Sequence, residues 1–255
     1  MKFSQIDLTG KTAIVTGGSK GIGYGMAMAL ATLGANVVIV SRNLQEGQAA
    51  AKTAAAKGVK AHAISCDVTN SASVTNMVQE AAKVMGQVDI LVNNAGMNIR
   101  KPLIEVEDSD WDTVINTNLK GVFLVGREVA KLMIKQGKGG KIVNVGSVAT
   151  AIGIPNLTAY CATKGGIGQI TKVWALELVG HNIQVNAVGP AYIRTPMTEG
   201  WLSDKARLDW IVGMTPMGRL GEMEEVAGPV AFLCSDWASY ITGITLYIDG
   251  GWTAR

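Results

Sequence analysis

Charge, aromatic rings, cysteine and proline are all scarce in this chain. Charged residues make up 17% and aromatic residues 5% of 255 positions, with three cysteines and six prolines. The net charge of +3 is scattered, with no basic run, which argues against nucleic acid or an anionic membrane as partner. Cys66, Cys161 and Cys234 are too widely spaced for a metal or dithiol motif, and His62 and His181 lack any partner pattern, so no metal site is expected. Free thiols without an apolar N-terminal signal segment point to the cytoplasm. Two stretches, 21–41 and 142–163, carry no charge at all. Glycines break both, and Pro155 breaks the second, so buried strand and helix joined by turns are expected there instead of membrane spans.

What is abundant is apolar material, 48% of the chain, in short runs that alternate with helical patterns. Strands are expected at 12–16, 37–40, 59–65, 88–92, 141–145, 183–188 and 244–248. Helices are expected at 21–33, 44–57, 71–85, 111–136, 158–179 and 222–234. Seven strands bridged by helices imply a single α/β domain over 1–255, with a doubly wound parallel sheet and right-handed crossovers. One connection, 189–221, is long and holds Pro190, Pro196 and Pro216; it reads as a functional loop over substrate. Trp201, Trp210, Met197, Met214 and Met217 in and near it suit either a lid or an interface.

Directly after the first strand comes Thr16-Gly17-Gly18-Ser19-Lys20-Gly21-Ile22-Gly23. A glycine turn opening a helix offers free amides and a helix dipole to a phosphate. The spacing departs from the G-x-G-x-x-G dinucleotide pattern, but the physics is the same. The second strand ends in Ser41-Arg42-Asn43, with no acid to take a ribose hydroxyl. With Lys20 nearby, Arg42 favours NADP(H), NAD(H) being the second choice; the plain alternative is that Arg42 is a solvated surface residue.

Tyr160 and Lys164 lie four apart on an expected helix and so share a face. A free phenol, with a pKa near 10, is a poor base. A neighbouring ammonium, and the positive ring of an oxidised nicotinamide, favour the phenolate. Ser147, in the uncharged stretch before them, suits a substrate oxygen.

These elements, together with Asp67-Val68, Asn93-Asn94-Ala95-Gly96, Asn118-Leu119, Gly146-Ser147, Asn186-Ala187 and Asp249-Gly250-Gly251, resemble the short-chain dehydrogenase/reductase family over essentially the whole chain. The resemblance implies a Rossmann domain and a catalytic set of Asn118, Ser147, Tyr160 and Lys164. Tyr160 would be the acid/base and Ser147 the carbonyl orienter. Lys164 would bind the nicotinamide ribose and lower the tyrosine pKa, and Asn118 would hold a relay water. Asp67 with Val68 would meet the adenine. Asn94, Ala95 and Gly96 would line the cofactor groove together with Pro190, and Ile193 and Thr195 would meet the carboxamide. A homotetramer, with the 119–134 region partly at its interfaces, is the family habit. Where the family usually has Pro-Gly, this chain reads Gly189-Pro190-Ala191, which puts the start of the substrate loop in question.

Asn98-Ile99-Arg100-Lys101-Pro102, His181 to Asn186 and Asp249 to Trp252 look most like sugar-acid oxidoreductases acting on gluconate or deoxygluconate. Arg100 would then clamp a carboxylate; the plain reading makes it a solvated loop residue. A 3-oxoacyl-thioester reductase shares nearly every motif, and a basic docking patch near the cleft would favour it. A catalytically silent cofactor-binding protein would be expected to lack part of the tyrosine, lysine and serine set.

Overall fold

Strands buried on both faces must be apolar along their length, and the first, β1 (Thr12–Thr16), is buried at every position. Around it the computed structural model, which describes residues 5–254 except for the side chains of Pro196 and Met197, builds one seven-stranded sheet. The other strands are β2 (Asn36–Ser41), β3 (Ala61–Ser65), β4 (Ile90–Asn93), β5 (Gly140–Val145), β6 (Ile183–Pro190) and β7 (Thr245–Ile248). Their order is β3-β2-β1-β4-β5-β6-β7, every pair parallel. The connections reverse direction between β1 and β4. A crevice therefore opens beyond the carboxyl ends of those two strands, where ligands of open α/β sheets bind.

Helices cover both faces. On one side α1 (Gly21–Thr32), α2 (Leu44–Ala55) and α9 (Met223–Cys234) share a core with β1, β2 and β4, through Met26, Leu30, Ile39, Val92 and Val226. On the other, α3 (Ser71–Met85) and α5 (Gly121–Gln136) bury Met77, Val125 and Met133 against Ile14, Val38 and Leu91. The long α6 (Thr158–Leu178) lies beside them and carries Tyr160 and Lys164 in its first two turns.

Two expectations change. The helical region 111–136 is unbroken but begins earlier, at Asp108, and is not α-helical throughout. It opens as α4 (Asp108–Ile115), fixed by a capping box between Glu107 and Asp110, widens into a π turn over Asn116–Lys120, and resumes as α5. The segment 189–221 is not a bare loop, for it contains α7 (Pro196–Leu202) and α8 (Lys205–Met214). Thr195 caps the first, with Pro196 at its opening position, and Asp204 caps the second through Arg207 N. Leu202, Ile211 and Leu220 close a small third core on Val148 and Trp252. Trp210 meets the edge of Trp252 at 5.8 Å, whereas Met217 is exposed; the Met197 side chain lies outside the described residues. Ala191 keeps an ordinary negative φ, since the only non-glycine residues with positive φ among those described are Asn156 and Asn182. Its N–H donates to Ile248 O at 3.1 Å, so the segment starts as an extension of the sheet and needs no glycine there. The two uncharged stretches resolve into α1 with β2, and β5 with the start of α6. Among the described residues no helix is long and apolar enough to cross a membrane.

Candidate active site

The crevice is a cleft of about 950 Å³. Its walls bring together Gly17, Ser19, Lys20, Gly21, Ile22 and Gly23 from the glycine turn and Ser41, Arg42 and Asn43 from the end of β2. Asp67 and Val68 follow β3, Asn94, Ala95 and Gly96 follow β4, and Ser147, Tyr160, Ile193 and Thr195 stand at the far end. Asn118, Lys164 and Pro190 do not line it. Pro190 is the buried last residue of β6, and the other two lie behind the wall.

The turn after β1 is shaped to take an anion. Gly17 and Gly21 adopt φ of +63° and +58°, which L side chains rarely tolerate. Helix α1 then starts with no side-chain cap at Lys20 and no acid in its first turn, so its leading amides are left to the cleft. By contrast α2 and α3 are capped by Asn43 and Asn70. Gly23 answers a different need. A Cβ there would run into the Gly17 carbonyl and the Asn94 amide. That amide donates to Thr16 O at 3.0 Å and Gly17 O at 3.2 Å, while Asn94 N donates to Thr16 Oγ1 at 2.9 Å. Asn94 thus ties the end of β4 to the glycine turn, and the space kept open beside it fits the phosphates and ribose of a dinucleotide. Asp67, exposed at the cleft wall, is held in a local turn, with one carboxylate oxygen accepting Thr69 N at 2.9 Å and Thr69 Oγ1 at 2.8 Å. Those bonds hold its carboxyl below the usual range.

At the other end, Ser147 follows β5 and its Oγ accepts Ala149 N at 3.2 Å, which fixes the hydroxyl beside Tyr160. Lys164 is buried; its Nζ donates to Val145 O at 2.7 Å and lies 5.4 Å from the centre of the Tyr160 ring. Burial pushes this ammonium down to about 8. Burial also pushes the Tyr160 phenol above its ordinary value, and a hydrogen bond with the Ser147 hydroxyl only partly offsets this. In the chain by itself burial is thus the larger influence and the phenol keeps its proton; the lowering expected from Lys164 together with the positive ring of an oxidised nicotinamide belongs to the cofactor-bound site. Asn118, in the π turn, donates through Nδ2 to Met97 O at 2.7 Å and accepts Met97 N through Oδ1 at 2.8 Å. It pins the segment that runs along the cleft after β4.

Comparison with known proteins agrees with this geometry. A family model described as Enoyl-(Acyl carrier protein) reductase matches residues 17–253. Gluconate 5-dehydrogenase of Gluconobacter oxydans is 42% identical over 96% of this chain and 96% of its own length. The 3-oxoacyl-[acyl-carrier-protein] reductase of Thermotoga maritima is 42% identical over 96% and 98%. The crystal structure of a gluconate 5-dehydrogenase from Burkholderia cenocepacia, in complex with NADP and tartrate, superposes with a TM-score of 0.94 at 37% identity, covering 98% of this chain and 97% of that one. The chain belongs to the short-chain dehydrogenase/reductase family.

This short-chain dehydrogenase/reductase has further cleft residues that its sequence did not single out. Met97, Ile154, Leu157, Tyr192 and Leu202 join Trp201 in an apolar far end. Tyr192 and Trp201 stack at 6.0 Å, nearly parallel, and Tyr192 tilts on Trp252 at 5.1 Å. Arg100 opens onto this end: its guanidinium lies 5.3 Å from the Trp201 ring and Nη1 donates to Pro155 O at 3.4 Å. Arg207 sits 4.6 Å from the same ring and donates to Trp201 O at 2.6 Å. The bulk of Trp201 was a visible signal; Tyr192 and Ile154 carried none. Lys101 is committed elsewhere, to Asp110 at 2.6 Å.

Proposed function

We propose that the protein interconverts a secondary alcohol and a ketone with NADP(H), on a small carboxylate-bearing substrate of the sugar-acid kind. The observation that carries this reading is the placement of Tyr160 and Ser147 side by side on the wall of a cleft that begins at an uncapped glycine turn. When bound, the nicotinamide supplies or accepts the hydride. Tyr160 delivers the proton to the carbonyl oxygen in reduction and takes it back in oxidation. Ser147 holds that oxygen and the charge that develops on it. Lys164, set behind Tyr160, would favour the phenolate and hold the nicotinamide ribose. The side chain of Asn118 is spent on Met97, so it acts as a positioning residue, with only its backbone left to hold a relay water. Arg42 and Lys20 meet the 2′-phosphate, Asp67 and Val68 the adenine, and Ile193 and Thr195 the carboxamide. Arg100, steadied by Trp201 and Pro155, takes the substrate carboxylate. The α7–α8 segment covers the substrate. Phe123, Leu176 and Val173, exposed on α5 and α6, suit burial between copies in a cytoplasmic homotetramer.

The 3-oxoacyl-thioester reading needs free cations beside the cleft for an acidic carrier, and the ion pair of Lys101 with Asp110 weakens it. The deciding experiment is a panel of sugar acids, simple ketones and acetoacetyl thioesters assayed with NADPH and NADH. Sugar acids should lead. Tyr160→Phe should abolish turnover, and Arg42→Asp should erase the NADPH preference; full activity of the first variant refutes the mechanism.

A further inference from the structure

The acid missing from the end of β2 is supplied one helical turn later by Glu46. Asn43 caps α2 by accepting the amides of Gln45 at 3.0 Å and Glu46 at 3.2 Å, which fixes the helix start. Gly47 lets that turn pack down: a Cβ there would lie 3.2 Å from Ser41 Oγ and 3.4 Å from the Ala63 Cβ. From this pinned backbone the Glu46 side chain spans the cleft mouth to the glycine turn. Its Oε2 lies 3.7 Å from Lys20 Nζ and accepts Ser19 Oγ at 3.5 Å, and it lines the same cleft as Arg42. A hydroxyl and an ammonium suited to an anion are thus turned onto a carboxylate of their own chain.

We propose that Glu46 competes with the 2′-phosphate for Lys20 and Ser19, and that it sets the ratio of NADP(H) to NAD(H) affinity. This rests on the NADP(H) reading above. An exposed pair of this length is weak, so the carboxylate swings away readily when the phosphate docks. Repulsion between the displaced carboxylate and the phosphate remains and weakens binding. With the unphosphorylated cofactor there is no such conflict, and Glu46 accepts a ribose hydroxyl, as an acid at the end of the second strand otherwise does. Glu46 therefore narrows a preference that Arg42 and Lys20 create.

The test is calorimetric titration of the full chain, free of nucleotide, with adenosine 2′,5′-bisphosphate and adenosine 5′-monophosphate. Glu46→Gln should tighten the bisphosphate by about 5- to 10-fold and leave the monophosphate unchanged or weaker. Glu46→Ala, at a helical position that alanine favours, should move both in the same directions. Lys20→Gln should cost more bisphosphate affinity when combined with Glu46→Gln than when made alone, because the ammonium is then no longer partly neutralised. A bisphosphate preference that survives Glu46→Gln and Glu46→Ala unaltered overturns this proposal and leaves the cofactor reading standing. No preference in any variant overturns the cofactor reading as well.

Discussion

Replacing Lys164 with methionine should stabilise the fold while destroying turnover, and the stabilisation should fade as pH rises. The ammonium is buried, donates to Val145 O at 2.7 Å, and is held at about 8 against an ordinary 10.5. A folded pKa below the unfolded one means that folding disfavours the proton. The penalty is therefore complete below about 8 and is relieved across the window from there to about 10.5. At 1.36 kcal/mol per unit it amounts to about 3 kcal/mol at pH 7 and little more than about 1 kcal/mol at pH 9.5. Methionine removes it but leaves the Val145 carbonyl without its donor, at a cost of about 1–2 kcal/mol. The variant should accordingly be more stable than the wild type by about 1–2 kcal/mol at pH 7, and near parity at pH 9.5. Urea unfolding of both proteins at the two pH values measures this, and titrations elsewhere in the chain cancel to first order in the difference. A stability difference that is the same at both pH values would refute the buried-ammonium argument.

Three further perturbations probe other parts of the site. Gly23→Ala sets a Cβ against the Gly17 carbonyl and the Asn94 amide, so the turn must open; a loss of about 1–3 kcal/mol is expected, with cofactor binding weakened at least about tenfold in a fluorescence titration. Unimpaired binding would show that the turn is looser than described. Asn118→Ala leaves the half-buried Met97 N and O without their side-chain partner and should cost about 1–2 kcal/mol by urea midpoint together with part of kcat; an unmoved midpoint counts against the clamp. Arg100→Met should raise KM about tenfold for carboxylate substrates with kcat nearly constant, and leave neutral ketones unaffected. Equal effects on both substrate types would remove Arg100 as the carboxylate contact.

The parallel sheet was legible in the chain because strands covered on both faces must be written as unbroken apolar runs, such as Val37-Val38-Ile39-Val40. The glycine turn was legible because Gly17 and Gly21 take backbone angles that few other residues accept, and the Tyr160–Lys164 pair because a helix sets residues four apart on one face. Helices α7 and α8 were hidden behind prolines, although Thr195-Pro196 and Asp204 are helix starts; they fold because Trp252 and Val148 give Leu202 and Ile211 a surface to cover. Spacing also could not tell how dry Lys164 is. Its ammonium sits at about 8, and the phenol above its ordinary value, because the surrounding chain excludes water from both. Likewise only the folded chain brings Glu46 to Lys20, 26 positions away, since that contact depends on how α2 packs against the sheet. Local chemistry and periodicity follow from the order of residues, whereas solvation and long-range charge pairing arise only when distant segments close around one another.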